Sequence, residues 1–400
     1  MGAERAQPGP GRQRVFAVLV LVLAGLTGFF SWRAFDTSGS VGIHPHAADP
    51  WAHVPTGWTK LPPPPEVRDG ATFVWTGSEV LAWGGCDPSV KDDCTPTDDG
   101  FAFDPSTGTW RSLPEAPLPG AHADSVWTGR VAVFFLENGG VAYDPANLTW
   151  RTIAPPPIDV GRSAVHVWTG TQVFVWGGGR RGEPTSAEGA LYDPSADSWQ
   201  RIADAPIGLT LASGMWTGRE VIVFGSLLDG RNVAETPTSV GAAYDPITDT
   251  WQELPASSLS PQAASAFWVG DRMVAWDYEV HSQQFDPVRD TWAAPAQMPF
   301  HFDECYPESA VVGGLGFAFF CGQSALYDAA TSAWREIHGG PLDEEIGAND
   351  ASYKLWRFAS LAPADDVLFL QMEGITVVGK DDTPCYGCPG SPVSFWAYRP

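Results

Sequence analysis

The stretch VWTGSEVLAWGG, Val74 to Gly85, holds two short apolar runs folded about a Thr-Gly and closed by a glycine pair. The same Trp-Thr-Gly returns at Trp127-Thr128-Gly129, Trp168-Thr169-Gly170 and Trp216-Thr217-Gly218, with weaker copies at Trp268-Val269-Gly270 and Val312-Gly313-Gly314. The intervals are 52, 41, 48, 52 and 44 residues. A second signal runs in phase: Phe103-Asp104-Pro105, Tyr143-Asp144-Pro145, Tyr192-Asp193-Pro194, Tyr244-Asp245-Pro246, Phe285-Asp286-Pro287 and Tyr327-Asp328-Ala329. A tryptophan stands six residues after each of these aspartates, at Trp110, Trp150, Trp199, Trp251, Trp292 and Trp334. Such constancy marks a repeat protein, and the repeat has to be read before anything else.

Each unit reads as four short strands, a to d. Strand a ends at the tryptophan, Thr-Gly turns the chain, strand b follows, and a glycine pair such as Gly84-Gly85 or Gly177-Gly178 stops it. Glycine suits that place because it accepts positive φ and lets a neighbouring backbone come close. Strand c ends in Tyr or Phe, and Asp-Pro opens a tight turn in which the aspartate caps backbone N–H groups. Strand d begins at the tryptophan and is stopped by proline-rich tails such as Ala154-Pro155-Pro156-Pro157. One unit of this size cannot cover both of its faces, so its aromatic residues are expected to pack against neighbouring units stacked around an axis.

The glycine pair, the following Tyr or Phe and the tryptophan at fixed spacing resemble the Kelch motif, in the form seen in galactose-oxidase-type β-propellers. The resemblance runs from about residue 56 to the end of the chain. It implies an all-β fold of four-stranded Kelch-like blades, while the family's mixture of enzymes and binding scaffolds implies no single function. The later units depart from the pattern: the glycine pair becomes Gly225 alone, then Trp276-Asp277, then Cys321-Gly322.

Six units leave a piece over at each end. The C-terminal part carries a b-like Asp366–Leu370 and a c-like Ser394–Tyr398 but no strand d, whereas Gly57–Pro62 looks like a strand d with nothing before it. Joining them predicts a seven-bladed propeller closed by an N-terminal strand that completes the last blade, with no open sheet edge. The 345 residues from 56 to 400 then allow about 49 per blade, close to the roughly 50 of a Kelch unit.

Residues 1–14 are short and basic, and 15–32 form an uncharged apolar run, Val15 to Phe30 with Ser31 and Trp32, of the length of a short membrane span. No small-residue cleavage site follows, so an uncleaved transmembrane helix is expected, with a secreted form after signal cleavage as the alternative. Arg5, Arg12 and Arg14 precede it and only Arg33 follows closely, which places the propeller on the extracytoplasmic side. Residues 33–55 read as a flexible linker and 56–400 as the propeller. An oxidising compartment allows local disulfides among Cys86 and Cys94, Cys305 and Cys321, and Cys385 and Cys388, although six cysteines leave 15 connectivities open. Pro389-Gly390 after the Cys385–Cys388 pair offers no helix to activate a thiol, and no second ligand pair for zinc is apparent.

A formal net charge of −24 disfavours nucleic acid and anionic membrane surfaces as partners. The acidic stretch Asp87–Asp99 lacks the ligand spacing and turn glycine of an EF-hand and reads as a solvated loop. Strand direction puts the long b–c loops and the d–a connections on one face, around the starts of the innermost strands. Candidate ligand-binding residues there are Arg68, Asp69, His122, Asp124, Arg162, Glu308 and Arg357. Arginines from three blades, Arg68, Arg162 and Arg357, suggest a bidentate clamp for a carboxylate or sulfate. The expected function is a binding or interaction module for a protein, carbohydrate or acidic ligand, with no cofactor and no metal. The resemblance also raises a carbohydrate-active enzyme as the alternative. A sialic-acid-epimerase-like site would need Glu308 or His122 as acid–base residue beside an arginine. A copper-radical oxidase would need a Cys-Tyr crosslink, but Tyr143, Tyr192, Tyr244 and Tyr327 are already repeat positions.

Overall fold

The computed structural model describes residues 51–400 apart from 52–53, 67, 88–93, 138, 161–163, 180–184, 227–238, 261–262, 301–307, 321–322, 341–354, 378–383 and 386–392. Seven antiparallel sheets follow one another along the chain. Blade 1 is Thr72–Trp75, Val80–Trp83, Gly100–Asp104 and Thr109–Ser112, in the order a-b-c-d, and blades 2 to 6 repeat it, beginning at Asp124, Val165, Thr210, Ala263 and Glu308. Blade 7 takes Leu355–Ala364, Val367–Val377 and Val393–Arg399 from the C-terminus and Gly57–Leu61 from the N-terminus. Its closing register pairs Trp58 with Tyr398 and Leu61 with Phe395. The innermost strands touch in ring order, and the ring closes where the a strand of blade 1 meets that of blade 7.

There is no single core. Apolar residues collect in layers between adjacent blades: Phe73, Val80 and Phe103 of blade 1 pack on Val367, Phe369 and Phe395 of blade 7, and Val165, Phe174 and Trp176 of blade 3 pack on Val221, Val223 and Tyr244 of blade 4. Strand b is covered on both faces, which is why Val80–Trp83 and Val173–Trp176 are apolar without alternation and buried throughout. Strand d lies at the rim, and TWRS and TWQE are accordingly polar around their one tryptophan.

The repeat residues carry identifiable hydrogen bonds. In the first four blades the Thr of Trp-Thr-Gly closes the a–b turn, as Thr76 does by donating its hydroxyl to the Glu79 carbonyl at 3.0 Å and accepting the Glu79 N–H at 3.1 Å. Blades 5 and 6 lack this threonine and use two-residue turns instead, Gly270-Asp271 between Val269 and Arg272 and Gly313-Gly314 between Val312 and Leu315. The strand-d tryptophans clamp each blade to the one before it. Trp110, Trp150, Trp199, Trp251 and Trp292 donate their indole N–H to the carbonyls of Pro62, Pro114, Ala154, Ala203 and Pro255 at 2.7–2.9 Å. Gly84 and Gly85 both have positive φ, and a Cβ on Gly84 would stand 2.1 Å from the Gly120 carbonyl oxygen of the next d–a connection. The pair therefore serves the close approach for which glycine is needed.

Trp51 and Val54, expected within the linker 33–55, pack into the propeller. Trp51 and Val54 are buried in the layer between blades 7 and 1, where Trp51 lies 5.0 Å from Trp75 and 5.2 Å from Phe369 between ring centroids. The Trp51 carbonyl accepts a 2.7 Å bond from Arg399. A lone tryptophan outside the repeat carries no periodic signal, so its burial is not legible before the seam is built. The apolar run 15–32 lies outside the described residues.

Candidate functional site

All a strands run in the same direction, so their first residues meet at one end of the axis. There a cavity of about 470 Å³ is lined by Asp69 to Phe73 ahead of and within blade 1, His122 to Ser125 at blade 2, Glu308 to Ala310 at blade 6, and Leu361 and Pro363 of blade 7. Four of the seven expected site residues, Asp69, His122, Asp124 and Glu308, are thus brought together. Arg162 and the side chain of Arg357 lie outside the described residues.

Arg68 goes elsewhere. Its guanidinium is buried and bonded to both carboxylate oxygens of Asp99 at 2.5 and 2.8 Å, to Glu66 at 2.6 Å and to the Thr97 hydroxyl at 2.7 Å. These partners hold Asp99 below the usual carboxylate range, the hydrogen bond from Arg68 being the largest cause. The b–c loop of the same blade has folded back over Arg68, aided by the Cys86–Cys94 disulfide and by the Cys86 N–H donating to the Asp69 carbonyl at 2.7 Å. Arg68 therefore braces the rim of blade 1 and presents no free guanidinium for an anionic ligand. Of the other cysteines, Cys305, Cys321, Cys388 and the side chain of Cys385 lie outside the described residues.

Glu308 opens strand a of blade 6 and has no hydrogen-bond or ion-pair partner among the described residues. Burial alone pushes its carboxyl up to about 7. Asp124 opens strand a of blade 2. Its side chain is 53% exposed to the cavity but surrounded by protein beyond it, so loss of bulk water raises it, against the smaller pull of His166. His166, from strand a of blade 3, places Nδ1 3.4 Å from Asp124 and stacks on Phe135 at 4.4 Å between centroids. Burial lowers the His166 imidazole, against the smaller pull of Asp124, so the ring is neutral at neutral pH. Sequence reasoning missed His166, which sits in an otherwise apolar VHVW strand; its polar character at an innermost position was the available signal.

His122 adopts φ +53° and donates its N–H to the Gly70 carbonyl at 2.7 Å. A Cβ on Gly70 would come within 2.5–2.7 Å of the His122 ring, so glycine there makes room for the imidazole. The other left-handed non-glycine residues belong to turns: Leu148, Asp197, Asp249, Asp290 and Ser332 occupy one repeated position of the c–d turn, and Val280 and Asp365 lie between paired strands. Among the described non-glycine residues, His122 alone has this conformation at the cavity. Its Nε2 is 3.9 Å from the Cys86 sulfur. Cys86, Cys94 and His122 are the one group of possible metal ligands close enough to share an ion among the described residues, and the disulfide occupies both sulfurs. The oxidised site does not fit a metal.

A copper-radical centre does not fit the repeat tyrosines. Tyr192 and Tyr244 donate their hydroxyls to Asp197 and Asp249 in their own c–d turns, at 2.7 and 2.9 Å, and Tyr143 and Tyr327 fill blade seams.

Residues 68–117, which span blade 1, match the family described as the Kelch motif. An F-box/kelch-repeat protein of Arabidopsis thaliana is 22% identical over 203 residues, covering 42% of this chain and 42% of that protein. The match therefore spans less than half of the relative's length. With six in-phase repeats, seven sheets around an axis that each hold four strands in the blade order, and the matched motif in the first of them, the chain is a Kelch-repeat β-propeller.

Proposed function

We propose that this propeller is an interaction module, held on the extracytoplasmic side by the apolar segment 15–32, and that it meets its ligand at the axial mouth on the long-loop face. The observation that carries this reading is the convergence of Asp69, His122, Asp124 and Glu308, from three blades, on one open cavity of about 470 Å³, a volume within the range of roughly 300–1,000 Å³ typical of small-ligand sites. The described chain enters the propeller at Trp51, against Trp75 at the a–b turn end. That is the face opposite the mouth. A protein partner suits a Kelch scaffold, and a carbohydrate is the other ligand class considered.

A photoreactive residue placed at Ala123, beside the cavity, should crosslink a partner on intact cells, whereas one at Ile247, exposed on the opposite face, should not. Adducts formed only at Ile247 would sink the assignment of the face. In the same cells, protease added from outside should degrade the propeller while untreated protein stays with the membrane pellet; a soluble form starting after residue 30 would instead mean a cleaved signal.

The enzymatic alternative has one observation in its favour, a carboxyl near neutrality at Glu308 sharing the cavity with His122. Such a group can donate a proton at neutral pH. It would be supported by turnover of a sugar substrate that Glu308→Gln abolishes with the fold intact.

A further inference from the structure

We infer that the axial mouth accepts a positively charged side chain of a protein partner, a lysine ammonium or an arginine guanidinium, between Asp69, Asp124 and Glu308. The inference rests on the interaction reading above and names the chemistry of the partner.

Charge is the first argument. The described lining holds three carboxylates and the His122 imidazole, and neither a lysine nor an arginine. The neighbouring cation, Arg68, is consumed by Asp99 and Glu66. No described group neutralises Glu308 or the Asp69 carboxylate, and Asp124 has only the largely neutral His166 behind it. A buried carboxyl without a partner is costly to ionise, and a cation brought by a ligand removes that cost.

Size and shape exclude the simplest cation. No three of these carboxylate and imidazole atoms stand close enough together to share one metal ion, since the one such group among the described residues is the disulfide-bonded pair with His122. The cavity of about 470 Å³ is also far larger than an ion. An extended group that meets the carboxylates separately fits both facts. Phe73, Ala310, Leu361 and Pro363 line the same cavity and offer apolar surface to the methylene stem of a lysine or arginine, whose charged head then reaches the carboxylates. The net charge of −24 draws basic surfaces toward the protein from a distance. Leu361 and Pro363 come from the seventh blade, so the mixed lining is a product of ring closure.

The test uses the full chain with three capped amino acids as probes: acetyl-arginine amide, acetyl-lysine amide and the neutral isostere acetyl-citrulline amide, followed by ligand-observed NMR and calorimetry. Both charged probes should bind saturably, and citrulline should bind at least about tenfold more weakly. Glu308→Gln and Asp124→Asn should each weaken the charged probes by about tenfold, while Asp271→Asn, on the opposite face, leaves them unchanged. Equal binding of citrulline overturns the inference and needs no variant to show it. So does binding of the charged probes that survives both substitutions in proteins with unaltered melting curves, or calcium or a neutral monosaccharide taking the site in preference to them. If crosslinking from Ala123 succeeds while the charged probes fail, the interaction reading stands and the charge class falls. If crosslinking fails while the probes bind, the cation site stands without the partner.

Discussion

At Glu308 a single carboxyl links fold stability to pH. In the unfolded chain it titrates near its ordinary 4.5, and in the folded protein burial moves it up to about 7. Below pH 4.5 both states hold the proton and the group is neutral to stability. Between 4.5 and about 7 the folded state keeps a proton that the unfolded state has lost, so stability falls as pH rises, and the penalty is complete above 7. Replacing Glu308 with Gln should leave the melting temperature nearly unchanged at pH 4 and raise it at pH 8, by the equivalent of about 1–3 kcal/mol, with water in the cavity reducing the full value. Thermal melts of the two proteins across this range check it, and a difference that does not depend on pH would show that Glu308 titrates in the folded protein as it does in the unfolded chain.

The c–d turn is the element that makes a blade hold its neighbour. Its fourth residue after the repeated aspartate is left-handed in every one of the six repeats, as Gly108, Leu148, Asp197, Asp249, Asp290 and Ser332. In blade 4 that residue, Asp249, accepts the Tyr244 hydroxyl at 2.9 Å and the Ala203 N–H of blade 3 at 2.9 Å. Asp197 does the same for Tyr192 and Ala154 one blade earlier. The turn thus pairs a backbone requirement with a link to the preceding blade. Asp249→Ala should cost about 1–2 kcal/mol in denaturant unfolding, from the loss of one exposed and one part-buried hydrogen bond and of the short polar side chain that eases the left-handed backbone. Asp249→Asn should recover most of the loss, because asparagine tolerates that conformation and keeps an acceptor oxygen. If Asn is as damaging as Ala, the carboxylate charge matters rather than the geometry.

For the molecule as a whole, closure depends on residues 51–61. Gly57–Leu61 supplies the outer strand of blade 7, and Trp51 fills the seam between blades 7 and 1. Replacing Trp51 with Ala should destabilise the propeller by about 3–5 kcal/mol, the range for removing a buried large aromatic. Deleting residues 56–61 should lower the melting temperature further, because it opens a strand edge and uncovers Trp396 and Tyr398, which pack with Trp58. A propeller that melts unchanged without Gly57–Leu61 would show that the ring does not need its N-terminal closure.

The residues themselves determined the blade count, the four strands in each blade and the pairing of Trp58 with Tyr398, because six blades write one short-range pattern and closure follows from what the two ends lack. The glycine pairs and the Asp-Pro turns are local demands on φ, and local demands are legible in a sequence. The site was legible only as a face: strand direction puts Asp69, His122, Asp124 and Glu308 at one end of the axis whatever their contacts. Which of them would be free was decided by the tertiary structure. Asp99 lies 31 residues beyond Arg68 and neutralises it only because the b–c loop returns over its own blade, and His166 reaches Asp124 only because blades 2 and 3 bring their first strands together. The cavity's charge is the sum of such long-range pairings, and a one-dimensional repeat carries the position of each side chain without the partner that folding brings to it.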